Sequence, residues 1–156
     1  MAEQRTPASR AIMTTLNFEK FWPYAVAIVF TVVWWTYLPT SFPIRPEGLL
    51  AATGTVAAVL VGFLVTAKAI VLGLTGSSVF KVLVNSGYHK ILFRYLFEAV
   101  LGGLSLLVVA MIGFFLIDDK EGLPATYKIF WIFTATLSLC QFLRVLNLLF
   151  LFLKRV

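Results

Sequence analysis

The sequence predicts an all-α integral membrane protein: a four-helix transmembrane bundle with both termini in the cytoplasm. Three observations carry that expectation. The 156 residues are 60% hydrophobic and 13% charged, with a mean hydropathy of +0.94, whereas a soluble domain is about half apolar and a quarter charged. Four apolar runs approach or exceed the roughly 20 residues a helix needs to cross a bilayer. Lys and Arg are distributed unevenly between the segments that flank those runs.

Residues 1–20 are polar and read as a cytoplasmic segment. The run that follows is too long for a signal-peptide core and lacks a small-residue cleavage site, so it is expected to stay as an anchor. The first span is "FWPYAVAIVFTVVWWTYL", residues 21–38, with Pro23 placed in its first turn, where proline is tolerated. The prolines of "PTSFPIRPEG" stop it. The second span covers 49–73, the third 93–117, and the fourth 129–151, leaving 152–156 as a short tail. The link 74–92 is not a simple polar loop. Ser78, Lys81, Asn85 and His89 recur at spacings of three and four, with Phe80, Leu83, Val84 and Tyr88 off that face. That pattern suits an amphipathic segment in the headgroup region. Asn85-Ser86-Gly87 is turn chemistry, and a helix starting near Tyr88 would run on into the third span. The link is either a plain helical connection or a docking element, with Lys81, His89 and Lys90 as candidate contacts to a partner or to lipid.

An even number of spans puts both termini on one side. That side holds Arg5, Arg10, Lys20, Lys81, Lys90, Arg94, Lys154 and Arg155, eight in all, against three on the other: Arg45, Lys120 and Lys128. The basic side is expected to be cytoplasmic. The net charge of +6 is thereby explained by topology, without nucleic acid. Trp22 and Tyr24 fit an inner aromatic belt; Trp34, Trp35, Tyr37, Tyr127 and Trp131 fit an outer one.

Four charges fall inside or at the edge of the spans. Lys68, Glu98 and Arg144 come from three helices yet share the same half of the bilayer, and Arg94 stands one turn from Glu98 at the i,i+4 spacing of an ion pair. A charge at mid-membrane costs about 2.5–3.5 kcal/mol on insertion scales, so such groups pair or face a cavity. Glu98 can serve Lys68 or Arg144. The layer is either a structural ion pair or the wall of a water-filled vestibule. Gly54, Ala58, Gly62 and Thr66, each four apart, form a small-residue ridge suited to close helix packing, within one chain or between copies. Gly102, Gly103, Ser105, Ala110 and Gly113 make a looser small face in the third span. Thr134, Ser138 and Gln141 form a polar stripe on the fourth span, the candidate for a pore-facing or subunit-facing surface.

Enzyme chemistry needs reachable clusters of His, Cys, Asp or Glu, and the sequence offers one His, one Cys and an acidic loop around Asp118, Asp119 and Glu121. No phosphate cradle precedes a helix. A non-enzymatic protein without cofactor or metal is expected.

The stretch "GFLVTAKAIVLGLTGSSVFKVLVNSGYHKILFRYLFEAV" resembles the second-to-third-span region of small four-span bacterial proteins from anti-phage defence loci. The membrane subunit of the Kiwa system is similar in size and span count. The resemblance is an apolar pattern with "NSG" at the turn, covers about a quarter of the chain, and transfers no functional residue. It implies a homo-oligomeric protein of the bacterial inner membrane that senses or alters the membrane and recruits a cytoplasmic partner protein. A small ion channel or holin-like pore, and an accessory subunit of a larger membrane complex, are the alternatives.

Overall fold

Four helices run in sequence: α1 (Pro7–Tyr37), α2 (Glu47–Gly73), α3 (Tyr88–Phe115) and α4 (Ala125–Leu153). The computed structural model describes residues 7–38, 42–43, 45–73, 88–118 and 122–153, with side chains described for 21–38, 42–43, 45–73, 92–118 and 122–150. Among the described residues there is no strand, only one isolated bridge.

Proline sets where two of the helices begin. The Pro46 carbonyl accepts from the Leu50 N–H at 2.9 Å, and the Pro124 carbonyl from the Lys128 N–H at 3.1 Å, the first intrahelical bonds of α2 and α4. Glu47 in the first turn of α2 complements the positive end of the helix dipole. Between α3 and α4 the chain turns tightly. Gly122 N–H donates to the Asp118 carbonyl at 2.8 Å, and Asp118 N–H to the Gly122 carbonyl at 3.2 Å. Gly122 adopts φ 67°, a left-handed conformation that glycine takes without steric cost.

Three helices, Glu47–Gly73, Leu92–Phe115 and Ala125–Phe150, are long and apolar enough to cross a membrane, and Phe21–Tyr37 is a shorter apolar stretch. The membrane class therefore stands on three helices. One expectation is corrected. The first helix does not start at residue 21 but at Pro7, so Pro23 lies in its interior and not in its first turn. It is Pro7 that opens the helix, where its missing N–H costs nothing. The sequence "PASRAIMTTLNFEK" has no second proline and no glycine to interrupt the run before residue 21.

The helices do not close into a symmetric bundle. Helix α3 packs between α2 and α4, and α1 packs on α4. Neighbouring α2 and α3 are antiparallel: a Cβ on Gly54 would stand 3.9 Å from Ala110 Cβ near one end, and Leu64 packs with Leu96 and Ala99 toward the other. Hydroxyls inside the helices satisfy themselves. Thr31, Thr53, Thr55, Thr66, Ser105 and Thr134 each donate to the carbonyl four residues back at 2.7–2.9 Å. That is the economical solution where no water is at hand.

Two clusters anchor the packing. Near the Asp118 turn, Leu50, Val109, Leu123 and Tyr127 are buried together, with Phe42, Ile117 and Trp131 against them. Tyr127 Oη donates to the Val109 carbonyl at 2.7 Å. Gly113 makes the slot for that ring, since a Cβ there would collide with Tyr127 Oη and lie 2.8 Å from Leu50 Cδ1. At the same end Phe42 stands edge-on to Trp34 and Trp131, with centroids 6.3 and 5.6 Å away, and Lys128 Nζ lies 5.5 Å over its ring. At the opposite end, Leu64, Leu92, Tyr95, Leu96, Ala99 and Val145 form the second cluster. The charged residues border it.

Candidate functional site

The second cluster surrounds an ion-pair layer built by α3 and α4. Glu98 and Tyr95 stand three apart on α3, hence on one face. Together they grip Arg144 from α4. Arg144 Nη2 donates to Glu98 Oε2 at 2.6 Å, and the guanidinium carbon lies 3.6 Å from the centroid of the Tyr95 ring. The other carboxylate oxygen, Oε1, accepts from Arg94 Nε at 3.1 Å. Exposure rises across the layer: the Arg144 side chain is 6% exposed, Glu98 21% and Arg94 59%. The deepest charge thus has both a carboxylate and a ring face. A desolvated cation over an aromatic ring gains about 2 kcal/mol, and the ion pair offsets much of the remaining cost of burying a charge. One carboxylate between two guanidinium groups leaves a formal charge of one positive unit.

Lys68 lies outside this cluster. It is half-buried, and among the described residues it has no hydrogen-bond or ion-pair partner. Lys68 follows Leu50 by 18 residues, five full helical turns, so both point the same way from α2. That way is toward α3: Leu64 is buried against Leu96 and Ala99, with Val71 packed beside them. Glu98 is two residues from Leu96, about 200° around the helix, on the side of α3 that meets α4. The body of α3 therefore stands between the lysine and the carboxylate, and Arg94 takes the second place on Glu98.

The polar stripe on α4 corrects a second expectation. Thr134, Ser138 and Gln141 are 7%, 2% and 4% exposed, so they are buried within the chain and present no surface to a pore or another subunit. Thr134 donates to the Phe130 carbonyl at 2.7 Å. Gln141 Oε1 occupies the space a Cβ on Gly102 would need, and a Cβ on Gly103 would lie 2.7 Å from Val61 Cγ2 and 3.9 Å from Ser138 Oγ. The Gly102–Gly103 pair is what lets α2 and α4 close on α3 from two sides. Gln141 Oε1 has no hydrogen-bond partner there.

The small-residue ridge of α2 divides. Gly54 meets Ala110 at the α3 contact, whereas Ala58, Gly62 and Thr66 are exposed, and nothing lies within 4 Å of a Cβ added to Gly62. The reason is geometric: four residues turn an α-helix by about 400°, so an i,i+4 row drifts about 40° per step and leaves the contact. Lys81 lies outside the described residues; His89 and Lys90 fall on the first turn of α3, with side chains outside the described set. Among the described residues no group of three or more His, Cys, Asp or Glu is placed to hold a metal ion. Cys140 is a free, buried thiol.

Sequence reasoning missed Tyr95 and the pairing of Gly102 with Gln141. An aromatic residue three before a glutamate inside an apolar run was the available signal for the first. Nothing in the spacing pointed to the second. Compared with known protein families, with curated proteins and with solved structures, the chain matches none.

Proposed function

We propose that the chain is a four-span, non-enzymatic subunit of the bacterial inner membrane, with both termini in the cytoplasm. It assembles with copies of itself through α2 and works with a cytoplasmic partner protein. The observation that carries the assembly is the strip Ala58, Gly62 and Thr66, exposed on the least buried of the three long apolar helices. Only 17% of the apolar window of α2 is buried, against 39% for α3 and for α4. In lipid, small residues mark where another helix approaches closely, because acyl chains gain nothing from a groove that a helix ridge fills better. The side that carries eight of the flanking Lys and Arg supports the orientation. The resemblance of residues 62–100 supports a place in anti-phage defence.

The closed Arg94–Glu98–Arg144 layer favours a structural role for these charges over a vestibule wall. The pore reading retains one observation in its favour: Lys68 is half-buried without an ion partner among the described residues. Two measurements separate the readings. Mass analysis in mild detergent and in nanodiscs should give a homo-oligomer, and a strict monomer in both would refute the assembly. Planar-bilayer recording should show no conductance that Lys68→Gln alters; a Lys68-dependent current would favour the pore. Phage challenge of cells carrying the chain, with and without its neighbouring genes, tests the defence role.

A further inference from the structure

Arg94 is only half engaged. Its Nε donates to Glu98 Oε1 at 3.1 Å, while its side chain remains 59% exposed. With Nε held by the carboxylate, the two terminal amino groups have no partner among the described residues, and they form the fork that binds phosphate oxygens in bidentate fashion. The same outer face of α3 continues with Phe97, Leu101, Leu104 and Val108, which are 55%, 46%, 47% and 47% exposed. They stand three, seven, ten and fourteen residues beyond Arg94, an unbroken helical stripe about 21 Å long at 1.5 Å per residue. A guanidinium fork at the end of a span, at the foot of an apolar stripe, has the layout of a phospholipid: phosphate at the interface, acyl chain along the helix.

We infer that Arg94 and the Phe97–Val108 stripe form a binding site for one anionic phospholipid. The lipid phosphate sits on the terminal amino groups of Arg94 and a chain lies on the stripe. Charge selects the headgroup class. Arg94, Glu98 and Arg144 sum to one positive unit, which an anionic headgroup balances, whereas the ammonium of a zwitterionic lipid would be brought toward that charge. Glu98 is the positioning residue, since it fixes Nε and turns the fork outward. The inference rests on the membrane-spanning reading of α3 and is independent of self-assembly.

The test is native mass spectrometry of the purified full chain in mild detergent, titrated with dioleoyl phosphatidylglycerol or dioleoyl phosphatidylcholine. One phosphatidylglycerol per chain should bind in preference to phosphatidylcholine. Arg94→Gln should weaken phosphatidylglycerol about tenfold, equivalent to about 1.4 kcal/mol, and leave phosphatidylcholine unchanged. Lys128→Gln, at the other end of the bundle, should leave the preference intact. Equal binding of the two lipids to the wild type, or a preference that survives Arg94→Gln, overturns the site. A second measurement needs no variant: a photoactivatable phosphatidylglycerol should label the wild-type chain within residues 92–108, and labelling confined elsewhere overturns it too. Inorganic phosphate at the lipid's concentration should displace nothing; displacement would make this a free-phosphate site. The same spectra report oligomer mass, so loss of lipid preference with the oligomer intact defeats this site alone, and a monomer with lipid preference intact defeats the assembly alone.

Discussion

Glu98→Gln is the most informative single change, because it removes the charge that two arginines share. Arg144 would keep its stacking on Tyr95 at 3.6 Å and could still donate to the amide oxygen, but its buried charge would lose its counter-ion. Breaking a buried ion pair from one side costs about 3–5 kcal/mol. The retained ring contact, worth about 2 kcal/mol when desolvated, and the partial exposure of Glu98 bring the expected loss to about 2–3 kcal/mol. Arg144→Met should cost less, because Glu98 keeps Arg94 at 3.1 Å and Met refills the space beside Tyr95. The double variant should lie close to Arg144→Met alone, a coupling of about 2 kcal/mol. Lys68→Met should not rescue Glu98→Gln, since α3 separates the two groups. The assay is reversible unfolding in bicelles or mixed micelles, run as a double-mutant cycle. Couplings under about 0.5 kcal/mol are ordinary for independent sites. A 98–144 coupling in that range, or a 98–68 coupling larger than the 98–144 one, would falsify the assignment of partners.

Gly113→Ala should destabilise by about 1–3 kcal/mol, the usual cost of overpacking, because the new Cβ meets Tyr127 Oη and Leu50 Cδ1; thermal melts in detergent read it, and an unchanged melt would contradict the tight slot. Tyr127→Phe should cost about 1 kcal/mol for the lost bond to the Val109 carbonyl and should lessen the penalty of Gly113→Ala in the double variant. Gly62→Leu should leave the monomer's melting temperature unchanged, as its side chain enters open space, while lowering oligomer mass; a large drop in monomer stability would place Gly62 in an internal contact instead. Reporter fusions at the C-terminus should read as cytoplasmic and fusions within 118–122 as external, and the reverse pattern would invert the proposed orientation.

The parts of the fold legible in the sequence were those set by local physics. Apolar length marked α2, α3 and α4, the prolines of "PTSFPIRPEG" marked the end of the first span, and Asn85-Ser86-Gly87 pointed to the helix that begins at Tyr88. The Arg94–Glu98 pair followed from spacing alone. What stayed hidden depended on which helix faces which. The stripe Thr134, Ser138 and Gln141 looked like a candidate surface because polar groups in lipid need partners, yet its burial is decided by Gly102 and Gly103 on another helix. The choice of Arg144 over Lys68 likewise depends on the side of α3 from which each arrives. The start of α1 was misplaced for a different reason: hydropathy locates the membrane, and a helix that begins outside it leaves no hydropathy signal.

The two outward surfaces differ in a way that suits their proposed occupants. On α2 the exposed strip is small and uncharged, Ala58, Gly62 and Thr66, with open space at Gly62. On α3 the exposed strip is bulky, Phe97, Leu101, Leu104 and Val108, and ends in a cation. A rigid helix docks best where side chains are small, because dispersion falls off steeply when backbones are held apart. Flexible acyl chains conform to bulky ridges with little loss, so a helix facing lipid has no need of glycine. The one charge on the α3 strip then suits lipid better than protein: at the interface a phosphate layer is always present, whereas a second copy of this chain would bring the same positive unit from its own Arg94, Glu98 and Arg144. Repulsion between like charges makes α3 the poorer seam for self-assembly and leaves α2 as the better one.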